Sequence, residues 1–272
     1  MPLPARAKDR MVVGLKRLVP IVQQQRTRDV SEPDTVTLVK DLLSDVFGYD
    51  KYAEVTSEHA IRGTYCDLAV KLHEKLAMLI EVKSAGTVLD DRHVKQAVDY
   101  GSNQGCEWIV LTNASTWRLY QVIFAKPIDK RLVADIDLTS IETRKEDSLE
   151  KLWPLTKEGF LKGAHLELRD RQDATSRYVL AALLTCNDGI ISAIRRELRR
   201  VVDVLVDDAD IVKALQHDVI KRDTLEGPEA EAACRRVNRR EGKAIRKAKE
   251  SAEPAASAPG SAATVEKSEI AE

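Results

Sequence analysis

The chain has 272 residues, 43% of them hydrophobic, which is enough for one sizeable core with an appendage. Charged residues make up 32% and aromatics 4%, and the formal net charge of -1 excludes a polycation that coats nucleic acid over its whole surface. Any nucleic-acid contact must therefore be local.

Residues 5–28 read as an amphipathic leading helix, broken near Pro20. A second helix opens at Ser31-Glu32-Pro33-Asp34, with a capping serine, early acids and a first-turn proline. Its apolar positions Val36, Val39, Leu42, Leu43 and Val46 face a core, and Gly48 ends it. A strand is expected over Tyr52–Glu58, then a turn at Gly63, then two strands, Tyr65–Leu72 and Ala77–Ser84, joined by His73-Glu74-Lys75. The second is apolar enough to be central and covered on both faces. The loop Ser84-Ala85-Gly86-Thr87 leads to a helix over Asp90–Asn103, then strands over Glu107–Thr112, Trp117–Ile123 and Leu132–Ile136. Helices outside a mixed sheet give an α/β domain.

Past about Glu142 only helix-period segments follow, an all-α C-terminal extension. Ile190, Ile194, Leu198, Val201 and Leu205 step by three and four residues, as in a helical hairpin or coiled seam. The Ala-, Ser-, Pro- and Glu-rich stretch 251–272 reads as a disordered tail. The expected divisions are 1–30, 31–145, 146–250 and 251–272. No apolar run reaches the ~20 residues of a membrane span, and the polar start does not read as a signal peptide. The four cysteines (Cys66, Cys106, Cys186, Cys234) show no CxxC pair, and two lie in apolar, strand-like surroundings. The expectation is a cytoplasmic protein off the membrane, without zinc site or disulfide framework.

Asp67 lies on the first of the paired strands, and Glu81 and Lys83 share one face of the second. Charges in so apolar a setting are costly unless paired. Two acids on neighbouring strands supply oxygen ligands for Mg²⁺, with Mn²⁺ as a substitute. Such a cation activates water and neutralises charge in phosphodiester cleavage, and an adjacent lysine orients the attacking water. Taken alone, Glu81-Val82-Lys83 reads equally as a same-face ion pair on a partly exposed strand. On the following helix Gln96 and Tyr100 are four apart and point the same way. By themselves they read as a surface glutamine and a core-edge tyrosine.

Together these motifs resemble the N-terminal nuclease domain of type I restriction enzyme R (motor) subunits, of the PD-(D/E)xK superfamily with RecB-type features. The resembling runs are Glu32-Pro33-Asp34-Thr35, Phe47-Gly48-Tyr49-Asp50, Cys66-Asp67-Leu68-Ala69-Val70 and Leu79-Ile80-Glu81-Val82-Lys83-Ser84. Gln96-Ala97-Val98-Asp99-Tyr100, Val110-Leu111-Thr112-Asn113 and Trp117-Arg118-Leu119-Tyr120 complete the set. The resemblance implies a restriction-endonuclease-like fold and metal ligation by Asp67 and Glu81 with the Val82 carbonyl. It also implies Lys83 as the catalytic lysine, Gln96 and Tyr100 as the QxxxY pair, and Glu32 as the supporting first-helix acid. Cys66 replaces the family's name-giving proline, Ala114 stands where glycine is common, and no GxxxxGK[ST] loop occurs. The implied protein is a Mg²⁺-dependent DNA endonuclease without its own motor, free-standing or working with a separate motor or specificity subunit, in the setting of restriction–modification. The competing reading is a catalytically silent fold that binds DNA or docks a subunit.

Arg235, Arg236, Arg239, Arg240, Lys243, Arg246 and Lys247 form one basic stripe if helical, suited to DNA phosphates. A solvated helix end explains the same residues. Arg195, Arg196, Arg199 and Arg200 are followed closely by Asp203, Asp207 and Asp210, which predicts internal pairing. The five histidines read as surface or loop residues, and Arg62 and Lys71 are further phosphate candidates. Cutting both strands of a duplex commonly takes two sites, so a homodimer is expected.

Overall fold

Leu79, Ile80 and Val82 have no exposed surface, so the strand that carries Glu81 is covered on both faces. The computed structural model that shows this describes residues 3–61 and 64–239, without the side chains of 58–61 and 64–65. Two compact units divide the chain, Met1–Gln172 and Asp173–Glu272. This boundary lies later than the expected one at 145/146.

The first unit opens with α1 (Ala5–Arg28) and α2 (Glu32–Asp45), followed by β1 (Val55–Ile61), β2 (Thr64–Leu72) and β3 (Lys75–Val82). Then come α3 (Asp91–Gln104), β4 (Trp108–Thr112), β5 (Thr116–Ile123) and β6 (Asp129–Asp137). The strands form one sheet in chain order. β3 and β4 pair in parallel because α3 crosses between them; the other neighbours are antiparallel. His73 and Glu74 turn β2 into β3 with φ 50 and 63, the positive-φ hairpin turn that suits strand twist. This is the expected mixed α/β architecture.

Side-chain alternation divides the layers. Leu68, Val70, Met78, Ile80 and Val82 join the main core with Met11, Leu15 and Leu18 of α1 and Leu42 of α2. Ala69 and Leu79 face the other way, into a smaller cluster with Cys66, Cys106 and Tyr100. Each large side chain so buried contributes about 1.5–3 kcal/mol. The unit is closed by α4 (Glu146–Glu150), α5 (Lys157–Leu161) and α6 (Ala164–Ala174).

Four expectations need correction. α1 is not broken at Pro20 but runs through it. Pro20 is exposed, so the carbonyl it leaves unbonded can turn to water, while Met11, Leu15, Leu18 and Val22 anchor both sides. The β1 strand starts later than expected, because the Asp50 carboxylate accepts from the Tyr52 and Ala53 amides and holds that segment as a turn. His165 is not a surface residue: it is 5% exposed and stacks on Phe160 at 3.9 Å, with Trp108 edge-on at 4.5 Å. Cys186 and Cys234 form a disulfide, whereas Cys66 and Cys106 are buried free thiols.

The second unit contains α7 (Arg177–Cys186), α8 (Asp188–Val202), α9 (Asp208–Ala214) and a helix, α10, over 228–239. Ala182 of α7 packs with Ala233 and Val237 of α10, which brings the two bridged cysteines together across the sequence. α7 and α8 are bent 69° from each other at Asn187. Among the described residues no single helix is long and apolar enough to cross a membrane.

Candidate active site

Antiparallel pairing of β2 and β3 runs up to Leu68 opposite Ile80. The next residue along each strand is Asp67 on one and Glu81 on the other, so their side chains leave the sheet on the same face. At this point the ladder gives way to side-chain bonding: the Val82 N–H donates to Asp67 Oδ2 at 2.7 Å. On the other edge of β3 the Lys83 N–H donates to the Thr112 carbonyl at 2.8 Å, which fixes where Lys83 leaves the strand. Lys83 Nζ then folds back and donates to Glu81 Oε1 at 2.7 Å. Glu32, the first residue of α2, lies 3.7 Å from the same ammonium. Ser31 caps that helix by accepting from the Asp34 N–H, which places Glu32 at its start.

The cluster is electrostatically unbalanced, with three carboxylates around one ammonium. Glu81 is 2% exposed, and burial pushes its carboxyl up to about 7; the Lys83 hydrogen bond opposes this, and Asp67 and Glu32 add to it. Burial likewise raises Asp67, offset in part by the Val82 N–H. Burial pulls Lys83 down, yet the Glu81 hydrogen bond and the surrounding negative charge outweigh it and leave it raised. Glu81 rises despite its ion pair because it is the more deeply enclosed partner. Glu81 Oε2 is buried with no hydrogen-bond partner among the described residues. Such an atom normally has a partner.

The other expected residues divide. Gln96 and Tyr100 do meet, the Gln96 amide donating to the Tyr100 hydroxyl at 3.1 Å. Tyr100 packs on the Ala69 and Leu79 side of the sheet, the side from which Asp67 and Glu81 emerge. No hydrogen bond among the described residues joins that pair to the carboxylates. Arg235, Arg236 and Arg239 are exposed on α10, opposite buried Ala230, Ala233 and Val237, and Arg235 pairs with Glu231. Arg240, Lys243, Arg246, Lys247, Arg62 and the 251–272 tail lie outside the described residues. Cys66 has its thiol enclosed between the Leu68 and Ile80 carbonyls, and burial raises it to about 12, which leaves it an unreactive thiol.

One contributor was not read as a site residue. Asn113 is 6% exposed and its amide donates to the Thr87 carbonyl at 2.8 Å, while its oxygen accepts from Ser115 and the Thr116 N–H. It ties the loop after Lys83 to the end of β4. Ala114 next to it takes φ 70, a left-handed conformation that favours glycine. Its sequence signals were an asparagine at a strand end, a common turn residue, and its place in the resembling run Val110-Leu111-Thr112-Asn113.

No curated protein and no solved structure matches the chain. A family model matches over about a third of the length, and its span takes in Asp67, Glu81, Lys83, Gln96, Tyr100 and Asn113 but not Glu32. Residues 39–130 match the model of the type I restriction enzyme R protein N-terminus family.

Proposed function

We propose that the chain is a Mg²⁺-dependent endodeoxyribonuclease of PD-(D/E)xK type, acting on DNA. The observation that carries this reading is the pairing of Asp67 and Glu81 on one sheet face, beside Lys83, with Glu81 Oε2 buried and unbonded. The donors fit a hard cation: they are carboxylate oxygens, and their excess negative charge is what a divalent ion offsets. No group of three or more His, Cys, Asp or Glu close enough to hold a metal occurs among the described residues. Mg²⁺ does not require one, since it keeps several waters and is commonly held by one or two carboxylates with substrate phosphate.

Asp67 and Glu81, with the Val82 carbonyl, would hold the ion, which when bound activates water and screens the charge of the dividing phosphodiester. Lys83, released from Glu81, stays beside the phosphate, orients the attacking water and offsets the charge that develops. Glu32 keeps the ammonium charged and in place. Gln96 and Tyr100 present an amide and a phenol from α3 to the substrate backbone. Asn113 fixes the exit of the loop behind Lys83. Mn²⁺ would substitute, and a separate translocase or specificity subunit would work with the chain. Cutting both strands takes two such centres, hence two chains. We place the activity in the cytoplasm as part of restriction–modification.

One observation favours the silent module: Glu81 and Asp67 already have partners in Lys83 and Val82. Plasmid nicking separates the two readings. The wild type should nick supercoiled DNA with Mg²⁺ or Mn²⁺ and stop with chelator. Glu81→Ala and Lys83→Ala should lose at least about a hundredfold and keep the circular-dichroism spectrum. A salt-sensitive gel shift without cleavage would establish the module instead.

A further inference from the structure

The four cysteines are of two kinds. Cys66 and Cys106 are buried thiols, raised by burial to about 12 and about 11, so neither offers a thiolate near neutral pH. Cys186 and Cys234 are bonded to each other, and each is only partly buried. Both line a cavity of about 620 Å³ in the second unit, walled also by His217, Arg222 and Glu226. A cavity of that size admits a small molecule. Access of this kind decides whether a disulfide exchanges, because an attacking thiolate must reach one of its sulfurs.

The two sulfurs differ as leaving groups. Cys186 is the last residue of α7, where the negative end of the helix opposes a thiolate. Cys234 lies inside α10, and the Asn238 amide donates to its sulfur at 3.8 Å, which favours the thiolate. The bridge also carries much of the hold of α7 on α10. The buried residues of that contact are Ala182, Ala233 and Val237, two of them alanines, with Tyr178, Val179 and Leu183 only partly covered. Side chains that small remove little apolar surface from water.

We infer that Cys186–Cys234 is a reversible thiol–disulfide exchange site for a low-molecular-weight thiol, and that its opening releases α10 from α7. The thiolate of the small thiol attacks Cys186 Sγ, the Cys186–Cys234 bond breaks, and Cys234 leaves as a thiolate that takes a proton from water. A second molecule of thiol attacks the mixed disulfide and frees Cys186. The protein gains two electrons and two protons, and the small thiol is oxidised to its own disulfide. α10 presents Arg235, Arg236 and Arg239, so exchange sets how firmly that face is held. The site is independent of whether the chain cuts DNA.

The test treats the oxidised full chain with reduced and then oxidised glutathione, with acid quenching, mass spectrometry and hydrogen exchange on the same samples. Reduced glutathione should open the bridge while Cys66 and Cys106 stay unmodified, and the intermediate should carry glutathione on Cys186. Amides of residues 228–239 should then exchange at least about tenfold faster while those of α8 keep their rates. Oxidised glutathione should restore the slow rates. The double variant Cys186→Ser, Cys234→Ser should show the fast rates at every glutathione ratio. A bridge that opens only in denaturant, or only to a protein dithiol, would overturn the site. So would glutathione found on Cys234 instead of Cys186, or amides of 228–239 that reduction leaves unchanged. Loss of protection in α8 together with α10 would mark a bridge that holds the whole unit folded, and would overturn the release.

Discussion

Glu81 and His165 are held against their ordinary titration in opposite senses. Glu81 is pushed up to about 7 from 4.5 by burial, so between those values the folded protein binds more protons than the unfolded chain. Stability from this group is present below about 4.5 and lost as pH rises through about 7. His165 is pulled down to about 4 from 6.5 by burial and then by Arg169. Its contribution is present above about 6.5 and lost as pH falls through about 4. Each is worth about 3 kcal/mol, at roughly 1.4 kcal/mol per tenfold change, so the two nearly cancel between pH 5 and 6.5. His165→Phe keeps the stack on Phe160 and removes one side of the balance. Urea denaturation should then show stability rising as pH falls from 8 to 5, where the wild type stays nearly level; parallel curves for the two proteins would contradict these assignments. The carboxylate pair was legible because alternation alone assigns a strand residue its face. The histidine was not, since the sequence does not show that the chain turns His165 back onto Phe160 or brings the distant Trp108 edge-on to it.

Elements were legible wherever an apolar pattern was long. β3 read as a central strand because it is nearly continuous in apolar residues, and α2 read as a helix because its cap and its periodicity agree. What failed was local punctuation overridden by packing: Pro20 reads as a break, yet α1 is held continuous by its buried stripe. The same packing makes Gly14 sensitive. A Cβ there would meet the Asp45 carbonyl oxygen at 2.3 Å and Val46 Cγ2 at 2.9 Å, and the backbone at the end of α2 has little room to yield. Gly14→Ala should destabilise the first unit by about 1–3 kcal/mol, measured by thermal or urea unfolding. An unchanged midpoint would mean that α1 and α2 shift apart freely. The Cys186–Cys234 bridge was illegible for the opposite reason, because spacing carries no sign that two helices distant in sequence pack side by side.

At the scale of the molecule, a near-neutral chain concentrates its positive charge locally. Arg235, Arg236 and Arg239 are exposed on α10, away from its buried side. If they meet DNA phosphates, replacing all three by alanine should weaken binding about equally on unrelated sequences. It should also lower the slope of log affinity against log salt by about 2–3, near 0.9 per phosphate contact. An unchanged slope would leave α10 as a solvated helix. The proposed cleavage would belong to the first unit, and it rests on whether Asp67, Glu81 and Lys83 gather around one cation. Anomalous diffraction from a Mn²⁺-soaked crystal asks this directly. The account predicts one peak bridging the Asp67 and Glu81 carboxylates, about 2.1 Å from an oxygen of each, with Lys83 Nζ turned off Glu81. Crystals that show no peak there at saturating Mn²⁺, with the Lys83–Glu81 bond intact, would contradict it.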